Sequence, residues 1–315
     1  MIYFATMGDQ VIHRDMGRWS VRRVTRLGFL AAVGTALFVL ESFVPLPLPF
    51  LKIGLANIST LLALLISGPA DAIAVVFLRI VTGSLLTGSF LGPSFILAIS
   101  AGLVSAAVMC IFRMLLPSLF GPVGLSLAGS TAHVLTQLEI VAFVYVRNEA
   151  LFHLLPLLLL TALVGGLVVG IITAKLLPAL NPANTSQNGK GRYLLSELGP
   201  WDKAVTLLLM AAIVSSFVVV PDSAGSTVLI EVDGKTVGKL SLQENAQLTV
   251  QGTRGSLLIE TRDGKVRVKV ADCPNRICVH TGWKSRGGDV IVCIPNKTLV
   301  RILDGDAGTV KGITG

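Results

Sequence analysis

The stretch ALFHLLPLLLLTALVGGLVVGIITAKLL, residues 150–177, decides the fold of this chain. It contains one Lys, one His and no acidic residue. It is also longer than the roughly 20 apolar residues that a helix needs to cross a bilayer. The stretch therefore predicts a membrane-spanning helix.

Six other segments share this apolar character, and short turns rich in Gly or Pro separate most of them. We expect seven spans in total, at 27–45, 51–67, 70–87, 93–116, 123–146, 150–177 and 204–220. The first six predict a compact bundle, and the seventh is interpreted as an anchor helix.

The distribution of charge divides the chain into two unlike parts. Of all 315 residues, 52% are hydrophobic and 14% are charged, against roughly a quarter charged in soluble domains. Residues 27–180 carry five Lys or Arg and four acidic residues, whereas 181–315 carry sixteen and twelve. The first part is predicted to be a membrane body and the second a water-exposed module. No stretch concentrates enough basic charge to indicate a nucleic-acid partner.

The basic residues near the span ends predict the orientation, because cytoplasmic loops carry an excess of Lys and Arg. With the N-terminus inside, ten of them lie on the cytoplasmic side: Arg14, Arg18, Arg22, Arg23, Arg26, Arg113, Lys175, Lys190, Arg192 and Lys203. We therefore expect a multi-pass protein of a bacterial plasma membrane, with the lipid bilayer as its first partner and an extracytoplasmic C-terminal domain.

The C-terminal part changes to alternating apolar and polar residues, which is typical of strands. Six short strands are predicted, at 228–232, 236–240, 257–261, 265–270, 290–294 and 298–303. Asp233-Gly234 and Asp263-Gly264 predict tight hairpin turns. The expected fold is a polytopic α-helical bundle of six spans plus a seventh anchor helix, then a small all-β domain. The segments are a leader (1–26), the bundle (27–180), a cytoplasmic linker (181–200), the anchor helix (201–221) and the β domain (222–315).

Three of the four cysteines lie in the β domain: Cys273, Cys278 and Cys293. In an exported domain they are consistent with one structural disulfide plus a buried thiol, or with a redox-active pair. With His280 they also have the residue types of a soft-metal site, although a Cys-x4-Cys-x-His spacing is not a common zinc pattern. These alternatives stay open on the sequence.

Polar residues are rare inside the predicted spans and are therefore functional candidates. The candidate ligand-binding set is Glu41, Lys52, Asn57, Arg79, His133 and Gln137. Two cations, a His and an amide suit an anionic or carbonyl-rich solute, such as a phosphate, a carboxylate or a flavin-like ring. We expect a pocket for a small anionic solute in the outer half of the bundle, unless the charges only satisfy one another, as Glu41 and Lys52 could. No catalytic residue and no firm cofactor are indicated.

The bundle resembles a known family through four motifs in order: Glu41-Ser42-x-x-Pro45-x-Pro47, residues 52–57 (KIGLAN), Leu78-Arg79 with Gly83-Ser84, and Ser130-x-Ala132-His133-x-x-x-Gln137. They are similar to the Gx transporter family, also known as heptaprenyl diphosphate synthase component I, and to substrate-binding subunits of energy-coupling-factor transporters. Thr131 departs from this pattern, where a smaller residue is expected. The resemblance implies a membrane solute-binding subunit with possible energy-coupling partners.

The tail resembles the NusG domain II-like module of exported bacterial proteins, through Cys273-Pro274, residues 278–283 (CVHTGW), Gly288 and residues 291–296 (IVCIPN). The resemblance implies a role in partner docking or redox chemistry, linked to quinone, isoprenoid and flavin-based extracellular electron transfer. It does not imply a role in transcription.

Two functional hypotheses follow. The first is a transport or binding component for a flavin-, quinone- or isoprenoid-related anion. The alternative is a non-catalytic accessory subunit of a prenyl diphosphate synthase in isoprenoid or menaquinone biosynthesis. A self-sufficient synthase needs Asp-rich clusters that hold Mg²⁺, whereas residues 27–180 contain one Asp, Asp71.

Overall fold

The computed structural model describes residues 21–43, 54–116, 119–180, 199–219, 225–273 and 276–304. The leader up to residue 20, most of the linker (181–198) and the candidate Lys52 lie outside these ranges.

Seven main helices form the first part of the described chain. They are α1 (Val21–Ser42), α2 (Asn57–Ser67), α3 (Pro69–Leu86), α4 (Pro93–Leu115), α5 (Pro122–Glu139), α6 (Leu155–Leu180) and α7 (Pro200–Val219). A π-helical turn, Ile140–Val146, extends α5, and a 3-10 segment, Glu149–Leu154, leads into α6. Helices α3, α4 and α5 each begin with a Gly-Pro pair, because Pro fits the first helical position, where its missing N–H has no helical partner.

Five helical segments of the described chain are long and apolar enough to cross a membrane. They are Val21–Ser42, Pro69–Leu86, Pro93–Leu115, Pro122–Val146 and Glu149–Leu180. The second expected span, 51–67, is described only as the 11-residue helix α2, which at 1.5 Å per residue is about half the thickness of a bilayer core. The protein is a membrane component, while the count of six spans plus one stays a prediction.

Helix α7 packs against α5 and α6. Near its start, Asp202 Oδ1 accepts a hydrogen bond of 3.0 Å from the backbone N–H of Gly121, just before α5. Further along, Leu209 and Ile213 pack against apolar side chains of α5 and α6. Its 20 residues extend about 30 Å, so α7 is long enough to connect the end that holds the α4–α5 turn to the opposite end.

The second part is a small β domain of seven strands in two antiparallel sheets. They are β1 (Gly225–Val232), β2 (Lys235–Ser241), β3 (Ala246–Gln251), β4 (Ser256–Arg262), β5 (Lys265–Ala271), β6 (Val290–Cys293) and β7 (Thr298–Asp304). One sheet has the order β2-β1-β7-β6, and the other has β3-β4-β5. The Asp233-Gly234 and Asp263-Gly264 turns have positive φ at both residues, as the sequence predicts for two-residue hairpins.

Strand β3 is missing from the six predicted strands. Its Leu248 and Val250 alternate with the polar residues Gln247, Thr249 and Gln251. Its pairing with β4 along its whole length supplies the partner that makes so polar a segment a strand.

The β domain packs against the helical bundle, and this contact was not expected for a water-exposed module. Val290 and Val292 of β6 and Leu299 of β7 share an apolar cluster with Leu138, Val141 and Leu151 of the bundle. The alternate β6 residues, Ile291 and Cys293, belong to the core of the β domain itself. Because side chains alternate across a strand, β6 is buried on both faces.

Polar contacts border this interface. Asn148 Nδ2 donates a hydrogen bond to Glu231, and Arg147 lies beside Asp233 with 4.0 Å between Nε and Oδ1. Residues 147–150 and the α3–α4 turn both face the β domain. The β domain therefore covers the end of the bundle opposite the α4–α5 turn.

Candidate functional site

Arg79 is the central charged group of the helical bundle. It lies in the middle of α3 and is 3% exposed. Its Nη2 donates a hydrogen bond of 2.6 Å to Asn57 Oδ1, whereas its Nε has no hydrogen-bond partner among the described residues. A buried guanidinium with an unused donor is costly in an apolar interior, so this N–H is suited to an acceptor atom of a solute.

Glu41 and the start of α2 lie beside Arg79. Glu41, near the end of α1, is 7% exposed and accepts a hydrogen bond from the backbone N–H of Leu55. Helix α2 begins at Asn57 without a side-chain cap. The first backbone N–H groups of α2, those of Asn57 and Ile58, donate to the Gly54 and Leu55 carbonyl oxygens at 2.9 and 3.0 Å. The start of α2 therefore contributes the positive end of its helix dipole and the Asn57 side chain beside the Arg79 guanidinium.

His133 and Gln137 complete the group from the opposite side. They are one helical turn apart on α5 and share a face. Gln137 is 6% exposed. One cavity is lined by Phe38, Glu41, Gly54, Ala56, Asn57, Arg79, Ile80, Ala98, His133 and Gln137. The structure thus brings together all five of the candidate ligand-binding residues that it describes.

The cavity is small in this conformation. Its volume is about 20 Å³, and an adjoining cavity of about 20 Å³ shares Gly54, Asn57 and His133 with it. A single water needs about 10–15 Å³ by this kind of measure. Each cavity therefore has room for about one water, and a larger solute requires the helices to separate.

The candidate ligand-binding set left out the hydroxyl groups of the second cavity, which is also lined by Ser105, Ser126, Thr161 and Ser130, the first residue of the fourth motif. Ser105 is 1% exposed, and its Oγ has no hydrogen-bond partner among the described residues. Ser130 Oγ donates to the Ala162 carbonyl oxygen at 2.8 Å and so links α5 to α6. Isolated hydroxyls in apolar helices were the available signal, but they also occur as ordinary packing residues.

A second polar cluster lies in the β domain. The Sγ atoms of Cys273, Cys278 and Cys293 all lie within 4.8 Å of one another, and the three residues are buried. The Cys273 and Cys278 sulfurs are 3.8 Å apart, and Cys293 Sγ accepts a contact of 3.6 Å from Asn296 Nδ2. All three are free thiols, as is the buried Cys110 of α4.

His280 is placed differently from the three cysteines. It ends a short helix, α8 (Ile277–His280), and its side chain is exposed. It is not part of the metal-type group that the described residues form. The structure therefore brings together three of the four residues that the sequence suggested for a soft-metal site.

The three thiols differ in acidity. The pKa of Cys293 is lowered to about 6, mainly because the Cys278 thiol donates a hydrogen bond to it, and Asn296 adds further N–H donors. That same hydrogen bond, together with burial, raises the pKa of Cys278. Burial raises the pKa of Cys273. The first thiol of the cluster to lose its proton is therefore Cys293, where these hydrogen bonds stabilise the negative charge.

Two family descriptions match this chain. Residues 30–176 match heptaprenyl diphosphate synthase component I, and residues 204–306 match NusG domain II. No curated protein matches the chain.

The following similar solved structures cover only the β domain of this chain. A DUF1312 family protein from Ruminococcus gnavus is 31% identical over 25% of this chain and 97% of its own length, with a TM-score of 0.22. The Lin0431 protein from Listeria innocua is 31% identical over 26% and 99%, with a TM-score of 0.25. A DUF1312 family protein from Enterococcus faecalis is 26% identical over 25% and 98%, with a TM-score of 0.24.

Proposed function

Since residues 30–176 belong to the heptaprenyl diphosphate synthase component I family and residues 204–306 to NusG domain II, we propose that this membrane protein binds and transports a small solute. The solute is anionic or rich in carbonyl groups, of the flavin, quinone or isoprenoid phosphate class. The observation that carries the proposal is the buried Arg79, which shares one cavity with Glu41, Asn57, His133 and Gln137.

The charges around the cavity favour a solute that both accepts and donates hydrogen bonds. Arg79 and Gln137 offer donors, whereas the carboxylate of Glu41 offers acceptors. A ring in which carbonyl groups alternate with an N–H matches this arrangement, as does a partly protonated phosphate. Because Glu41 balances the charge of Arg79, hydrogen-bond geometry contributes to selection as well as net charge.

Transport requires the helices around the cavity to move, since each cavity has room for about one water. The half-length helix α2 is a suitable moving element, because short helices with termini at membrane depth often form the binding sites of transporters. An energy-coupling partner subunit is the proposed source of work, because no Gly-rich phosphate-binding loop occurs in the sequence.

We place the protein in a bacterial plasma membrane with the β domain outside. The basic residues near the span ends support this orientation. The β domain also packs at the end of the bundle that this orientation assigns to the outside, near residues 87–94 and 147–151. There it serves in partner docking or redox chemistry.

The test is binding of FMN, farnesyl diphosphate and inorganic phosphate to the detergent-purified full-length protein by equilibrium dialysis. We expect at least one probe to bind, and Arg79→Ala and His133→Ala to weaken that binding at least tenfold. Arg113→Ala, at the end of α4, is the matched control that retains affinity. Unchanged binding in both cavity variants would reject the site, and failure of all three probes to bind would reject a solute of the flavin or isoprenoid phosphate class.

A second function is favoured by the family description itself, which names a heptaprenyl diphosphate synthase component. The bundle offers no diphosphate-Mg²⁺ site of the usual kind, because Asp71 is its single Asp and accepts a hydrogen bond of 3.0 Å from Arg23 Nε. The role would therefore be that of an accessory subunit. If so, adding this protein to a catalytic prenyl diphosphate synthase subunit changes product length or rate, and no change removes this alternative.

A further inference from the structure

Three separate elements of the β domain bring their cysteines to one point. Cys273 follows β5, Cys278 lies on α8, and Cys293 ends β6. Each is at most 8% exposed, so the cluster is a defined interior feature. The cysteine cluster shares no residue with the cavity around Arg79.

The spacing of the sulfurs fits a shared metal ion. With a metal–sulfur distance of about 2.3 Å, sulfurs around one ion are about 3.8 Å apart in tetrahedral geometry and about 4.0 Å apart in trigonal geometry. The Cys273 and Cys278 sulfurs are 3.8 Å apart, and no pair in the cluster exceeds 4.8 Å. Small side-chain adjustments would therefore place all three sulfurs around one ion.

We propose that Cys273, Cys278 and Cys293 form a three-thiolate site for one thiophilic cation, of the Cu(I) or Zn(II) class. Thiolates are soft ligands, and these are the ions that soft ligands select. No His, Asp or Glu joins the group among the described residues. Cu(I) can be coordinated by three sulfurs in trigonal geometry, whereas Zn(II) binds a water or an added ligand as its fourth ligand.

The surroundings of the cluster support a bound ion. Asn296 Nδ2 lies 3.6 Å from Cys293 Sγ, as an outer hydrogen bond that orients a metal ligand does. A cavity of about 310 Å³ is lined by the three cysteines, by Arg254 and by the α3–α4 turn of the bundle. It gives an ion or an exchanging ligand a path to the sulfurs. The Arg254 cation offsets part of the negative charge of a metal–thiolate centre.

Binding releases one proton for each thiol that becomes a ligand, so no oxidant or reductant is needed. The full-length protein is purified in detergent under reducing conditions, mixed with Zn(II) or with Cu(I), and separated from free metal by gel filtration. We expect one ion per chain by elemental analysis. Retention of Cu(I) alone indicates trigonal coordination, and retention of Zn(II) indicates an open fourth position.

Serine variants identify the ligands. We expect Cys278→Ser and the triple variant of Cys273, Cys278 and Cys293 to lose at least nine-tenths of the bound metal, whereas Cys110→Ser, the matched buried thiol of α4, retains it. Equal retention in the wild type and the triple variant would overturn the proposal.

A titration of the unaltered protein keeps the test independent of any folding defect in the variants. A chromophoric chelator competes for the ion while released protons are counted. Two to three protons per ion support thiolate coordination. Fewer than one proton per ion, or no metal uptake by protein whose four thiols are shown to be reduced, excludes it. In the latter case the cysteines act as a disulfide pair or as core residues.

Discussion

At the scale of single residues, Gly34 determines how closely α1 approaches the Arg79 site. A Cβ built on Gly34 would lie 2.3 Å from Ser59 Oγ and 3.0 Å from Arg79 Cδ. Small residues allow membrane helices to approach this closely. The absence of a side chain at Gly34 therefore helps to place Glu41, farther along α1, beside α2 and α3.

We predict that Gly34→Ala destabilises the bundle, by about 1–3 kcal/mol for overpacking of this kind. The added methyl group must displace Ser59 or Arg79, both of which are buried. The measurement is the midpoint of thermal unfolding in detergent, followed by intrinsic fluorescence.

Gly28→Ala is the matched control on the same helix, because a Cβ there has no neighbour within 4 Å. Since Ala favours helix more than Gly does, this variant should be as stable as the wild type or slightly more stable. If both variants unfold at the same temperature, the close contact at Gly34 does not limit the packing of α1.

At the scale of elements, the sheet β3-β4-β5 is joined by charges around Glu260. Its carboxylate accepts hydrogen bonds from Arg267 Nη2 at 2.7 Å, from Gln247 Nε2 at 2.8 Å and from Lys269 Nζ at 3.0 Å. These donors, Arg267 first and Lys269 next, lower the pKa of Glu260 to about 2 from 4.5. The carboxylate therefore stabilises the folded sheet in its ionised form.

We predict that the β domain loses stability as the pH falls, and that this loss is smaller in Glu260→Gln than in the wild type. Because the pKa of Glu260 is lowered by folding, its contribution is complete above pH 4.5 and is lost as the pH falls toward about 2. The wild type should exceed the variant in stability at pH 7, and this difference should shrink across that interval. The reporter is Trp283, whose ring lies 4.4 Å from the Arg267 guanidinium, in a background with Trp19 and Trp201 replaced by Phe.

The exposed Glu244 supplies the control, since Glu244→Gln should leave the pH profile unchanged. Part of the acid dependence should remain in Glu260→Gln, because a hydrogen bond from Lys297 lowers the pKa of Asp233 and one from Ser256 lowers the pKa of Asp272. An identical profile for the wild type and Glu260→Gln would show that the three-stranded sheet does not depend on this carboxylate.

At the scale of the whole molecule, the contact between the bundle and the β domain rests on β6. Val290 is 4% exposed and belongs to the apolar cluster that spans the two parts. We predict that Val290→Asp separates them, because a carboxylate is strongly unfavourable in this apolar cluster, and its cross-strand neighbour Arg301 is already paired with Glu231. Hydrogen exchange should then increase in residues 140–151 of the bundle.

Amide hydrogen exchange in β4 and β5 distinguishes separation of the two parts from unfolding of the β domain, because these strands belong to the sheet that does not contain β6. Their amides should stay protected in Val290→Asp. Val237→Asp, at a side chain that is 49% exposed on β2, should leave residues 140–151 unchanged. If Val290→Asp also leaves them unchanged, the interface does not shield this part of the bundle.

Much of the fold was predictable, because it depends on properties of contiguous segments. Long apolar runs, the Gly-Pro pairs before α3, α4 and α5 and the two Asp-Gly turns are local features with one dominant structural solution each. Because polar residues are rare in these apolar runs, each one could be recognised in the sequence as a candidate site residue. The missed strand, β3, depends on its pairing with β4 rather than on its own composition.

The sequence by itself determined an apolar helical part, a β domain and a short set of polar candidates, because hydrophobic pattern and turn chemistry act over a few residues. The tertiary structure alone decided which distant residues meet. It placed Glu41, Asn57, Arg79, His133 and Gln137 around one cavity, brought three cysteines within 4.8 Å, and packed β6 on the bundle. These arrangements depend on how whole elements pack together, and contacts across long stretches of chain leave no periodic signal in the sequence.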